Sequence, residues 1–234
     1  MLYNVIEDSW GGITYVPTAL GKVLLVLVLA ALLAAAALFA GRRSVSADRS
    51  VPAKRSAGRP DARQLAFCAM SIALGTILSN IKLFEFPFGG SVTLLSMLII
   101  CLPGYWFGLE AGLITGVAYG VLQLIIDPYV IHPAQLVLDY LLAFGALGLS
   151  GLFSNSKNGL LKGYMAGVTG RWICTALSGW IFFAEYAWEG WNPFAYTLAY
   201  NGAYIFTEAT VTLAILAIPD VKNSFARIKG IAGK

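Results

Sequence analysis

Residues 91–127 read SVTLLSMLIICLPGYWFGLEAGLITGVAYGVLQLIID, and Glu110 is the sole charge before Asp127 closes the run. A helix needs about 20 mostly apolar residues to cross the hydrocarbon of a bilayer. This stretch supplies nearly twice that, divided at Glu110 into segments 91–109 and 111–127. Water gives no reason to keep so long a chain apolar, whereas lipid does. Working outward, further apolar segments of similar length run over about 64–81, 133–153, 160–184 and 194–218, joined by short loops. The composition agrees. Hydrophobic residues make up 58% and charged residues 12% of the 234, against about 45–50% and 25% in soluble domains. Disorder, a disulfide scaffold and a soluble globule are excluded. Long runs without alternation also exclude a β-barrel. The fold expected over 63–220 is therefore an all-α polytopic membrane core of six helices, without internal repeat.

Upstream, Thr18–Ala40 is a further apolar run, uncharged from Val23 onward. It is too long for a signal peptide and lacks a basic leader, so it reads as an extra N-terminal span within a segment 1–41. Residues 41–63, GRRSVSADRSVPAKRSAGRPDAR, then hold seven of the sixteen Lys and Arg. Nucleic-acid binding is one reading of such a run, but the positive-inside rule makes 42–62 a cytoplasmic linker. The N-terminus then lies outside. Six further crossings return the C-terminus inside, where the tail 221–234 carries Lys222, Arg227, Lys229 and Lys234. Lys157 and Lys162 also fall on the inner side, while Glu85, Asp127, Glu185 and Glu189 fall outside. Cys68, Cys101 and Cys174 lie in apolar runs and read as buried free thiols. A lone histidine rules out a multi-histidine metal site.

The outer loops hold the candidate chemistry. Residues 84–91, FEFPFGGS, contain a Gly-Gly pair suited to a turn or a close approach. Residues 127–133, DPYVIHP, place His132 at the entrance of the next helix with Pro133 in its first turn; His132 reads as a cap or a ligand contact. Asp139 lies about two turns further on among apolar residues. An ionisable group at that depth costs a few kcal/mol unless paired and marks a functional position. Residues 182–193, FFAEYAWEGWNP, supply Phe183 and Trp188, either to an interfacial aromatic belt or to a site. Tyr196 and Asn201 follow at the outer depth of Asp139. Aromatic faces, an amide and a carboxylate at one level suit a flat, nitrogen-rich cation. Arg171 and Glu208 lie deeper, roughly 20 Å in at about 1.5 Å per residue, and are expected to pair as a structural salt bridge.

Four stretches carry a likeness: PFGGS (87–91), HPAQLVLDYLLAF (132–144), SGWIFFAEYAWEG (178–190) and YTLAYN (196–201). Together, in this order and at these spacings, they resemble the thiamine-specific substrate-binding subunits of energy-coupling factor transporters. The resemblance spans about 63–220. It implies a six-helix subunit of the bacterial cell membrane that captures thiamine, or a close precursor or phosphate ester, from outside. It also implies a membrane coupling subunit and two ATP-binding cassette subunits as partners. By motif, Tyr129 is similar to an aromatic ligand contact, Asp139 and Tyr140 to an acid–tyrosine pair at the aminopyrimidine, and Gly179 to a glycine against the ligand. Tyr196 and Asn201 match polar contacts on the last helix. Four positions depart from the family's best-known form. Asp139 replaces Glu, Thr175 replaces His, Phe183 replaces Trp, and Gly90 aligns with a loop Trp. The coupling interface implied for the first core helix falls on Ala66, Ala69 and Ala73, spaced for close helix contact. No metal, cofactor, nucleic-acid partner or catalytic residue is expected. HExxH, GxSxG, paired intramembrane aspartates and a P-loop are all absent from the sequence, which weighs against an intramembrane enzyme and assigns any ATP hydrolysis to a partner. A stand-alone ion-coupled carrier would fit Asp139 as well.

Overall fold

A computed structural model describes residues 3–7, 13–21, 23 and 61–232. Strands β1 (Tyr3–Glu7) and β2 (Ile13–Pro17) pair antiparallel, with Val5 opposite Tyr15, and the chain turns helical at residues 19–21. The rest of the expected N-terminal span and nearly all of the basic linker lie outside the described residues.

The apolar segments overlap the helical stretches α1 (Ala62–Ser79), α2 (Ser96–Phe107), α3 (Leu109–Ile126), α4 (Pro133–Phe153), α5 (Gly159–Phe182) and α6 (Pro193–Leu216), although residues 91–95, read as the start of the second segment, precede α2 and are not helical. By length and composition alone, α1, α3 and α4 are able to cross a membrane. A fourth joins them if α6 is counted together with α7 (Pro219–Ala232), which turns off it by 89°. The physical reasons differ for the remainder. With 12 residues, α2 reaches only about 18 Å at the α-helical rise, and the polar residues of α5, among them Lys162 and Arg171, dilute its apolar character.

The short helix α2 is the hub. Every residue from Ser96 to Gly104 is buried, as expected of a helix apolar on all sides. Met97, Leu98, Ile100 and Cys101 share one core with Tyr119 of α3, Leu147 of α4, Tyr164 of α5 and Ile205 of α6. The opposite holds for α1, where only Ser71 and Gly75 are buried and Met70 is 65% exposed. A glycine seam joins α3 to α4. A Cβ at Gly116 would lie 2.4 Å from Phe144 O, and at Gly120 only 1.8 Å from Tyr140 O. The two backbones are in contact there, as in small-residue packing between membrane helices.

Two features depart from the sequence reading. The first outer loop is a β-hairpin, β3 (Lys82–Glu85) with β4 (Ser91–Thr93), pairing Phe84 with Val92 and closing through Gly89 at φ +96°. Lys82 binds Glu85 at 3.0 Å and Asp127 at 3.3 Å. The hydrogen bond it donates to Glu85, and the nearby Asp127, hold its ammonium above the usual lysine range. The tail, expected as a basic extension, is the amphipathic helix α7. Val221 and Phe225 pack on the core, Lys229 donates to Ser154 O, and Lys222 donates to Asn158 Oδ1 at 2.8 Å.

Candidate functional site

A cavity of about 210 Å³ lies among the β3–β4 hairpin, the α3–α4 loop, α4, α5 and α6. Its acid comes from α4. His132 caps that helix, its Nδ1 accepting from Ala134 N at 3.1 Å, with Pro133 in the first turn. From Val137 to Leu142 the helix widens to π geometry. Such single-turn bulges recur at functional sites because they re-aim side chains without ending the helix. Here the bulge carries Asp139 and Tyr140 to the cavity wall. Asp139 Oδ2 accepts from Gln135 Nε2 at 2.7 Å, while Oδ1 is buried without a protein hydrogen bond. The Tyr140 hydroxyl accepts from Tyr129 N at 2.7 Å and donates to Asp127 O at 3.1 Å, fixing the loop that follows α3.

The aromatic walls come from three places. Tyr129, on that loop, stacks on Phe183 at the end of α5, with centroids 6.0 Å apart and planes 16° apart. Asn192 caps α6 by accepting from Phe194 N at 2.9 Å. Tyr196, Tyr200 and Tyr204 then recur every four residues and share one face. Tyr196 and Tyr200 stack at 5.8 Å, and Tyr200 meets Tyr204 edge-on at 6.0 Å. Asn201 donates to Thr197 O and accepts from the Tyr204 hydroxyl at 2.7 Å. Gly179 lines the cavity where α5 and α6 touch; a Cβ there would lie 2.5 Å from Thr197 Cγ2.

The expected Arg171–Glu208 salt bridge is not formed. Among the described residues the ion pairs are those of Lys82. Glu208, 4% exposed, reaches from α6 to the start of α2. Its Oε2 accepts from Thr93 N at 3.0 Å and Thr93 Oγ1 at 2.6 Å, and its Oε1 from Met97 N at 3.1 Å and Ser96 Oγ at 3.3 Å. A carboxylate at a helix N-terminus meets unpaired N–H groups and the positive end of the dipole. Four donors thus satisfy Glu208 without a cation. The Arg171 guanidinium instead lies 4.3 Å over the Phe144 ring. Both side chains line the cavity, Glu208 held by donors at the start of α2 and Arg171 on the Phe144 ring.

Of the residues singled out in the sequence, Tyr129, Asp139, Tyr140, Gly179, Phe183, Tyr196 and Asn201 line this cavity together. Two stand apart from it. His132 is a cap whose ring stacks on Phe182 at 5.1 Å. Trp188 is 63% exposed and meets Tyr196 edge-on at 5.5 Å. Ala66, Ala69 and Ala73 are exposed on α1. Sequence reasoning passed over Gln135, Tyr200 and Tyr204. The four-residue spacing of the tyrosines, and of Gln135 from Asp139, was the available signal.

An acid set among ring faces in a cavity roofed by loops is a binding arrangement. Among the described residues no group of three or more His, Cys, Asp or Glu side chains is placed to hold a metal ion. Fold and site define a multi-pass, helical, ligand-binding protein of the membrane.

Comparison with known proteins makes the class specific. Residues 65–227 match the family model of the thiamine transporter protein, and the chain belongs to that family. It is a family of bacterial membrane transporters, not enzymes. The thiamine transporter ThiT of Bacillus subtilis is 30% identical over 169 residues, covering 66% of this chain and 87% of the relative. The ThiT of Lacticaseibacillus paracasei is 24% identical over 168 residues, covering 66% and 82%. The solved structure of ThiT from Listeria monocytogenes superposes with a TM-score of 0.56 at 24% identity, over 68% of this chain and 96% of that one, and supports the helical membrane fold.

Proposed function

We propose that this chain is the substrate-capturing subunit of a vitamin importer and binds thiamine, or a close precursor or derivative, from outside the cell. The observation that carries this is the cavity wall that brings Asp139, held by Gln135, together with the rings of Tyr129, Phe183 and Tyr196, in a chain of the thiamine transporter family. Asp139 and Tyr140 meet the aminopyrimidine. Phe183, Tyr129 and Tyr196 offer ring faces to the thiazolium cation, and Asn201 and Gly179 complete the wall. The β3–β4 hairpin and the loops after α3 and α5 close over the ligand.

Uptake is driven by separate components: a membrane coupling subunit that docks on Ala66, Ala69 and Ala73, and two ATP-binding cassette subunits. Segment 1–41 adds a span, 42–62 is a cytoplasmic linker, 63–220 is the binding core, and 221–234 lies on the cytoplasmic side. The N-terminus is then outside and the C-terminus inside.

The test is reconstitution in proteoliposomes, with and without a coupling subunit and its two ATPases. Thiamine binding is expected from this chain alone, and accumulation only with the partners and ATP. Accumulation by this chain alone, driven by an imposed ion gradient, would replace the proposal with an ion-coupled carrier.

A further inference from the structure

Gln135 is 1% exposed, and its side-chain amide is used in full. Nε2 donates to Asp139 Oδ2 at 2.7 Å and to Tyr129 O at 3.1 Å, and Oε1 accepts from Ile131 N at 3.2 Å. The amide has a single workable orientation. Turned over, its oxygen would face two acceptors and its NH2 group would face an N–H donor. One buried side chain therefore holds the acid on α4 and the loop 127–132 at once. Asp139 Oδ2 is occupied by this bond, and Oδ1 is buried, with the Ser178 hydroxyl beside the carboxylate.

We infer that Gln135 is the positioning residue of the site: it fixes the rotation of the Asp139 carboxylate toward the ligand's amine, and it makes that rotation depend on the closed position of the loop carrying Tyr129. The inference rests on the thiamine reading given above. Two physical consequences follow. Without Gln135 the carboxylate loses the donor that holds Oδ2, so its preference for a donor at one place on the ligand is weakened. Lifting the loop withdraws Tyr129 O and Ile131 N from the amide, so an open loop also releases the acid. Tyr140 reinforces the coupling by binding Asp127 and Tyr129 of the same loop.

The experiment measures dissociation constants of three ligands in detergent. These are thiamine, its 4-oxo analogue (oxythiamine), which replaces the donor amine with a carbonyl, and its pyridinium analogue (pyrithiamine), which keeps the aminopyrimidine. A site built to accept a hydrogen bond discriminates strongly against an analogue that lacks the donor. The wild-type chain is expected to prefer thiamine over the oxo analogue by a wide margin. Gln135→Leu keeps the approximate volume and removes all three hydrogen bonds. Gln135→Met keeps the unbranched length of the side chain and likewise removes the hydrogen bonds without adding a charge, which guards against a variant that simply fails to fold. Both are expected to lose about tenfold or more of the thiamine-to-oxo preference, with the thiamine-to-pyridinium ratio unchanged. Affinities that fall in step for all three ligands would make Gln135 a purely structural residue and overturn the inference, as would unchanged affinities. A wild-type chain that binds none of the three would overturn the thiamine reading itself, a result distinguishable from both.

Discussion

Asp139→Ala is expected to weaken thiamine binding about 100- to 1,000-fold, or about 3–4 kcal/mol, the range measured for removing one partner of a buried, hydrogen-bonded charge pair. Three features set that size. The carboxylate lies in a membrane-embedded helix where water screens little. One of its oxygens is tied to Gln135 at 2.7 Å and the other is buried, with the Ser178 hydroxyl beside the carboxylate. The proposed ligand is a cation with a donor amine. Asp139→Asn keeps the shape and loses the charge, and an intermediate loss is expected. Asp139→Glu restores the acid found at this position in the family's best-known form and should bind. Isothermal titration of the purified variants checks the order. Equal affinity of wild type and Asp139→Ala would move the site elsewhere.

Glu208→Ala should produce the largest loss of stability of any single substitution at the cavity. It removes the acceptors of Thr93 N and Met97 N, both buried beside the central helix. A buried donor left unpaired costs about 1–3 kcal/mol, so a loss of about 3 kcal/mol or more is expected, read as a lowered midpoint of thermal unfolding in detergent. Arg171→Met should leave that midpoint much less changed, because Arg171 does not pair with Glu208. Equal destabilisation by the two substitutions would restore the salt bridge that the sequence suggested.

The legible parts of this protein are those that lipid dictates. Bilayer thickness forces apolar runs of a set length, so α1 and α3 to α6 could be read with boundaries near those of the structure, whereas the run 91–109 also took in β4 and the turn before α2. The cost of a carboxylate among apolar residues singled out Asp139 for the same reason. What the sequence hid is set by direction and by backbone contact. The β3–β4 hairpin has strands of four and three residues, too short to establish an alternating pattern. The π turn at Val137–Leu142 follows from tertiary packing rather than from residue propensity. Glu208 is paired by backbone N–H groups, which no residue type advertises. Gln135 was overlooked because a neutral amide raises no energetic alarm, although its four-residue spacing from Asp139 was visible. The basic residues of 221–234 concealed the apolar positions Val221, Phe225 and Ala232 that seat α7 against the bundle.

The most direct test is to titrate thiamine into the purified, partner-free chain in detergent and follow tryptophan fluorescence, with thiamine phosphate and the free pyrimidine as competitors. Saturable quenching at low thiamine concentration, reversed by excess competitor and absent in Asp139→Ala, is the predicted result. A folded chain whose fluorescence does not respond to thiamine, and which shows no heat of binding in calorimetry, would contradict the account.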